Sequence, residues 1–289
     1  MRRVLVIVNP IAGRGAAQRR LGEIEHRLRS HGLATEVAVT AEAGDARRDA
    51  AARGADHDLV AVIGGDGTLN EVINGLDADR PVALYPLGTG NVLAKELHLP
   101  HSPRRFCDMV ARGRERTLDT ASANGRRLVC MVGAGFDAEV AARLRAARRG
   151  AIRMRDYVRP TLSCLASYRF PRIAVSVDGA EPAHAEGFVL VSNVHTYGGP
   201  FVINPGARPD DGLLDVCLLR CATRLRYAWA MLAFILRCPR RLVPATYLRG
   251  RSVRLTAQET VRYQVDGDAV GDLPATVELT ERKMRFIVP

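Results

Sequence analysis

Leu59-Val60-Ala61-Val62-Ile63-Gly64-Gly65-Asp66-Gly67-Thr68-Leu69-Asn70 is the stretch from which the fold is read. Its first five residues form an unbroken apolar run, the pattern of a strand buried on both faces of a parallel sheet. Residues 69–76 then take up helical spacing. Between them, Gly64, Gly65 and Gly67 let the backbone turn tightly and approach a ligand with no Cβ in the way. Amides at the start of the following helix present the positive end of its dipole, which suits a phosphate. The competing reading is an ordinary strand–helix turn capped by Thr68. The strand–turn–helix context and the added Asn70 weigh against it.

The same arrangement repeats on either side. Runs 4–8, 36–40 and 82–86 join 59–63 as strands, and 16–31 and 44–53 join 69–76 as helices. Strand–helix alternation predicts a doubly wound parallel-sheet nucleotide-binding domain over residues 1–115. Ligands of such sheets bind beyond the carboxyl ends of the strands. Three loops lie there: 9–15, 64–68 and 87–91. The first, Asn9-Pro10-Ile11-Ala12-Gly13-Arg14-Gly15, is no P-loop, because GxxxxGK[ST] is absent. Arg14 and Arg19 offer the charge a P-loop lysine would supply; the alternative is a strand broken by Asn-Pro with solvated arginines. The third loop, Pro86-Leu87-Gly88-Thr89-Gly90-Asn91, again precedes a helix. Three such loops at neighbouring strand ends converge on one place, which argues for a polyphosphate ligand more strongly than any one of them.

Past residue 115 the pattern changes. Strand-like runs (117–123, 127–132, 172–177, 187–194, 214–219, 252–256, 261–265, 276–279, 284–288) follow one another through Asn124-Gly125, Asp178-Gly179, Asp211-Gly212 and Asp266-Gly267. Short strands joined by Asx-Gly turns predict a mainly antiparallel β-sandwich over residues 116–289. Helical insertions are expected at 138–165 and 223–236.

Composition narrows the classes. The 289 residues are 47% hydrophobic and carry a net charge of +11, nearly all of the positive charge arginine, since Lys95 and Lys283 are the only lysines. Such an excess points to an anionic partner or to a compositional bias with solvated arginines. The six cysteines form no CxxC pair and no metal spacing, which reads as reduced thiols in a cytoplasmic protein. The run 4–8 stops at Asn9-Pro10, too soon for a signal sequence, and the apolar run 227–236 is about half of what a membrane span needs.

The motifs NPIAGRG (9–15), GGDGTLNEVINGL (64–76) and PLGTGN (86–91), in this order and spacing, resemble the diacylglycerol kinase catalytic-domain family, which includes bacterial lipid kinases, sphingosine kinases and ceramide kinases. The resemblance continues through Gly133-Ala134-Gly135-Phe136-Asp137, Pro209-Asp210-Asp211-Gly212-Leu213-Leu214-Asp215 and Val265-Asp266-Gly267-Asp268, so it spans the chain. GGDGT is shared with NAD kinases and phosphofructokinases; the later motifs make the match specific.

The resemblance implies a two-domain enzyme with ATP in the cleft between an α/β domain and a β-sandwich. It implies that Asn9, Pro10, Gly13, Thr40, Gly64, Gly65, Asp66, Gly67, Thr68, Asn70 and Thr89 line the nucleotide, with Arg14 and Arg19 near the phosphates. Asp66 would act at the reacting phosphates through Mg²⁺ and its waters. A structural magnesium would be held by Asp211 with backbone oxygens of Arg208 and Leu213. The general base would fall on Asp268, where the family usually has Glu; the family's Asn-Asp after Gly-Thr reads Asn91-Val92 here. Phosphoryl transfer suits these parts, because it needs positioning and charge stabilisation, and one carboxylate within hydrogen-bond reach of the acceptor. Turn-forming Asx residues are the alternative for Asp66 and Asp268.

Two segments carry arginine beside apolar residues: 143–172, with nine arginines and one acid, and 219–251, with eight and none. Either they rest on anionic lipid or they are core helices with snorkelling arginines. The expected protein is a cytoplasmic lipid kinase, peripheral on the inner face of the membrane. Alternatives are a non-catalytic nucleotide- or lipid-binding homologue and an NAD kinase-like enzyme. A nucleic-acid partner is not expected, since no helix-turn-helix, RNP or zinc-finger signature is evident.

Overall fold

The computed structural model describes residues 1–146, 154–198, 201–236, 238 and 244–289. They form two compact units, Met1–Leu118 with Arg282–Pro289, and Asp119–Glu281.

In the first unit, β1 (Arg3–Val8), α1 (Ala12–Ser30), β2 (Ala34–Val39), α2 (Asp45–Arg53), β3 (Leu59–Gly64), α3 (Asp66–Gly75) and β4 (Val82–Pro86) alternate as the apolar runs predict. Two helices absent from that reading, α4 (Val92–Glu96) and α5 (Pro103–Arg112), lead into β5 (Glu115–Leu118). The sheet order is β2-β1-β3-β4, then the returning strand Met284–Ile287, then β5. The first five are parallel neighbours and β5 runs antiparallel to the returning strand. All of β3 and β4 is buried, which is why their sequences read as continuous apolar runs. Register sets the strand ends level: Val8 lies opposite Val39 and Ile63, and Gly64 opposite Pro86. The loops that follow β1, β3 and β4 therefore leave from one edge. α1 packs against α5 and α2 against α3.

The second unit begins with β6 (Ala121–Ala123), β7 (Arg126–Leu128), β8 (Met131–Gly135), α6 (Phe136–Ala146), α7 (Val158–Ser167), β9 (Arg172–Val177), β10 (Ala183–Glu186) and β11 (Phe188–Ser192). It continues with β12 (Thr196–Tyr197), β13 (Phe201–Val202), β14 (Leu214–Leu219), α8 (Arg224–Ile235), β15 (Ala245–Gly250), β16 (Ser252–Ala257), β17 (Arg262–Val265), β18 (Asp268–Asp272) and β19 (Ala275–Leu279). Two antiparallel sheets, β10-β9-β16-β19-β6-β7 and β15-β14-β11-β8-β17-β18, share one core. Val175, Val253 and Val277 of the first meet Val132, Val189, Val216 and Val265 of the second there. This is the expected sandwich.

Several boundaries differ from the expectation. The run 117–123 is two strands in two sheets, β5 and β6, because the chain passes between units at Asp119. The last strand, expected in the second domain, belongs to the first unit, where it inserts between β4 and β5. Of the helix expected at 138–165, the described residues hold α6 up to Ala146, a 3-10 turn at Met154–Tyr157 and α7 from Val158; 147–153 lies outside the described residues. Asn124-Gly125, Asp178-Gly179 and Asp266-Gly267 are hairpin turns with both residues at positive φ. At Asp211-Gly212 only Gly212 is left-handed, and the turn leads into β14 rather than closing a hairpin.

Candidate active site

The three loops of the first unit touch one another. Asn9 organises the first: its Oδ1 accepts from Ile11 N at 3.3 Å and its Nδ2 donates to Thr68 Oγ1 at 3.2 Å, on the second loop's helix. Gly13, Arg14 and Gly15 all have positive φ (58°, 59° and 77°), so the regular turns of α1 begin at Ala16. Leu87 N donates to Gly64 O at 2.7 Å, tying the third loop to the second. The closest approach is glycine to glycine. A Cβ on Gly65 would come within 2.8 Å of Gly88 Cα, so only two residues without side chains can pack backbone to backbone here.

Asp66 sits at this junction. Its Oδ1 accepts from Val92 N at 2.8 Å, at the first position of α4. A Cβ on Gly90 would lie 2.9 Å from its Oδ2. The residue keeps some surface open to solvent. Burial nevertheless pushes its carboxyl above the ordinary carboxylate range, against the pull of the Val92 and Asn91 amides and the Lys95 charge. Asn91, left-handed at φ 47°, bonds Gly88 N through its Oδ1 (2.8 Å) and Gly88 O through its Nδ2 (2.9 Å). It holds the third loop closed, a role the motif PLGTGN contained and the sequence reading did not assign.

Gly64, Gly65, Asp66, Gly67 and Thr68 run from the end of β3 into the first turn of α3. Pro10 and Gly13 lie in the first loop. Thr40 follows β2, its N and Oγ1 both donating to Val8 O. Thr89 lies in the third loop. Arg14 and Arg19 are exposed, and Arg19 Nη1 donates to Arg14 O at 3.1 Å. Asn70 is 2% exposed, inside α3's packed face, and Asn74 Nδ2 donates to its carbonyl. A shallow, open depression of about 460 Å³ touching Arg2, Arg80 and Arg285 lies at the amino ends of the strands, the end opposite these loops.

In the second unit Asp268 opens β18 directly after the Asp266-Gly267 turn. Its Oδ2 is paired with Arg126 Nη2 at 2.9 Å. The turn is pinned twice. Asp266 accepts from the amides of Val129, Cys130 and Met131, the last at 2.8 Å. Gly267 N donates to Gln264 Oε1 at 2.6 Å, and Gln264 Nε2 donates to Asp137 Oδ2 at 3.2 Å. Asp137 is buried and also accepts from Tyr197 Oη and Ala138 N. Burial pushes its carboxyl up to about 6, with the Gln264 hydrogen bond the largest opposing influence. Gln264 was missed from sequence; a polar residue in the buried stretch of β17, two before Asp266, was the available signal.

Asp211 pairs with Arg249 and accepts from Leu213 N at 3.2 Å. Asp119 fixes the same turn, its Oδ2 accepting from Gly212 N at 2.7 Å. The Asp211 carboxylate and the main-chain oxygens of Arg208 and Leu213 are the hard donors Mg²⁺ takes. Among the described residues no three His, Cys, Asp or Glu side chains gather as a metal-binding group. A cation at this turn would thus rest on main-chain oxygens and water with one carboxylate.

Known proteins place the chain. The sequence profile of the Diacylglycerol kinase catalytic domain matches residues 3–123, and that of the YegS C-terminal NAD kinase beta sandwich-like domain matches residues 130–288. The "Diacylglycerol kinase" of Mycobacterium tuberculosis (strain ATCC 25618 / H37Rv) is 30% identical, over 99% of this chain and 95% of its own. That of Bacillus subtilis (strain 168) is 26% identical, over 100% and 97%. A crystal structure of a diacylglycerol kinase from Bacillus anthracis str. Sterne superposes with a TM-score of 0.77 at 22% identity, covering 99% of this chain and 97% of that one. An NAD kinase from Archaeoglobus fulgidus in complex with ATP shares the fold at a TM-score of 0.57 and 16% identity, over 99% and 93%. With both halves matched in order and the full length shared with relatives, the chain belongs to the diacylglycerol kinase catalytic-domain family and is a kinase, a phosphotransferase with an alcohol group as acceptor.

Proposed function

We propose that the protein transfers the γ-phosphoryl group of ATP to a hydroxyl of diacylglycerol or a related lipid at a membrane surface. The observation that carries this reading is the packing of three glycine-bearing loops at one sheet edge, tied by Asn9 Nδ2 to Thr68 Oγ1, Leu87 N to Gly64 O and Val92 N to Asp66 Oδ1. Backbone amides at such an edge suit a polyphosphate.

In this reading Asn9, Pro10, Gly13, Thr40, Gly64, Gly65, Gly67, Thr68 and Thr89 line the nucleotide, while Asn70, buried in the packed face of α3, lies behind them rather than against it. Arg14 and Arg19 neutralise phosphate charge. Asp66, held by the Val92 amide, orients the reacting phosphates and contributes negative charge for a divalent cation. Asp268 takes the proton of the lipid hydroxyl, and the Asp266, Gln264 and Asp137 hydrogen bonds fix the turn that carries it. Where Mg²⁺ binds the second unit, Asp211 and the carbonyls of Arg208 and Leu213 supply the donors; bound Mg²⁺ there would brace the turn before β14. The partner is a lipid substrate, met on an anionic membrane face. No helix among the described residues is long and apolar enough to cross a membrane.

The test is incubation with ATP, Mg²⁺ and mixed lipid micelles, followed by lipid extraction and mass analysis. A new phosphomonoester lipid names the acceptor. Phosphorylated NAD instead would favour the NAD kinase-like alternative, and ATP binding with no phosphorylated product would favour a non-catalytic homologue.

A further inference from the structure

Helix α8 turns an apolar face outward. Tyr227, Ala230, Ala233 and Phe234 are its buried side, with the Tyr227 ring 4.3 Å from that of Phe136. On the opposite side Leu225 is 85% exposed, Trp229 48%, Leu232 45% and Leu236, one step beyond the helix, 61%. At 3.6 residues per turn these four fall within about 60° of the helix circumference. Arg224 and Arg226, both exposed, lie about 100° to either side of that stripe. Exposed apolar surface of this kind marks an interaction site rather than a solvated face.

We infer that this face of α8 is the surface by which the protein enters the headgroup region of an anionic bilayer, a role that rests on the reading of the acceptor as a membrane lipid. Charge selects the occupant. The segment 219–251 holds eight arginines and no acid. Two copies meeting through α8 in a twofold contact would bring Arg224 and Arg226 towards their own counterparts, whereas anionic headgroups complement them. Length selects the mode. The 12 residues of α8 extend about 18 Å, short of the roughly 30 Å hydrocarbon core. The helix therefore lies in the interface: Leu225, Leu232 and Leu236 enter the acyl boundary, Trp229 sits at headgroup level and the flanking arginines snorkel to phosphates.

Trp229 is the chain's one tryptophan, so its fluorescence reports this face alone. The experiment adds phosphatidylcholine vesicles, with and without phosphatidylglycerol, to the full protein in the absence of ATP. With anionic vesicles the Trp229 emission shifts to the blue and is quenched by brominated lipid. Flotation weakens about tenfold or more in Leu225→Glu with Leu232→Glu, with circular dichroism unchanged because both positions are exposed. Three results overturn the inference: no shift with anionic vesicles, unchanged flotation of the double variant, or a shift that follows protein concentration without lipid, which assigns the face to a second copy. Vesicle binding by a protein that phosphorylates no lipid upholds this inference and overturns the kinase substrate reading.

Discussion

The Asp66 carboxylate accepts a hydrogen bond from the main-chain amide of Val92 at 2.8 Å, joining the second and third loops across twenty-six residues. Where the resemblance implies Asn-Asp, this chain reads Asn91-Val92, yet the contact to Asp66 is made by the backbone N–H, which any residue but proline supplies. The junction between the two loops therefore does not depend on an acidic side chain at position 92.

Charge at Asp66 is separable from its hydrogen bond. Asp66→Asn keeps an oxygen for the Val92 amide and removes the negative charge. The expected result is a fall in kcat of about 10²–10³-fold with the melting temperature within a few degrees of wild type. Steady-state kinetics beside a thermal melt measures both.

The glycine contact between loops predicts a different phenotype. In Gly65→Ala the new Cβ meets Gly88 Cα at 2.8 Å, backbone that cannot swing aside. Urea denaturation should show a loss of about 1–3 kcal/mol, and nucleotide titration a weakened affinity. Gly67→Ala, where a Cβ meets nothing within 4 Å, should leave stability within about 1 kcal/mol.

In the proposed mechanism Asp268 is the base, at a position where the resemblance implies Glu is usual. Asp268→Asn should lower kcat by about 10²–10⁴-fold, and Asp268→Glu should retain most activity. The Arg126 pair is partly exposed, so its loss should change stability by no more than about 1 kcal/mol. Equal activity in Asp268→Asn and wild type would remove Asp268 as the base.

Asp137 predicts a pH dependence of stability. Its folded carboxyl is raised from 3.8 to about 6 by burial. Between those values the folded protein holds a proton that the unfolded chain has released, so this group's contribution to stability falls as pH rises through the window. Asp137→Asn removes the titration. Relative to wild type, the variant should gain on the order of 2–3 kcal/mol between pH 4 and pH 7 in urea unfolding. A difference that is flat with pH would contradict the buried, raised carboxyl.

What the sequence made legible follows from burial. Continuous apolar runs marked β3 and β4, and largely apolar runs with β-branched residues marked β9 and β14, each placed within a residue or less. The glycine loops were legible because few residues tolerate their geometry. Edge strands were not: β18, Asp-Ala-Val-Gly-Asp, and β10, Ala-His-Ala-Glu, carry no apolar run because little of them is buried. Helix α5 had a usable signal in Ser102-Pro103 and in buried Phe106, Cys107, Met109 and Val110. The return of Met284–Ile287 to the first sheet and the chain from Asp137 through Gln264 to Gly267 are long-range pairings, which no local period encodes.

The most direct measurement supplies γ-labelled ATP, Mg²⁺ and diacylglycerol in mixed micelles and counts label in the organic phase. Wild type should label the extracted lipid, and Asp66→Asn should lose about two orders of magnitude or more at unchanged melting temperature. Label that never leaves the aqueous phase, or transfers equally well in Asp66→Asn, would contradict the lipid kinase reading.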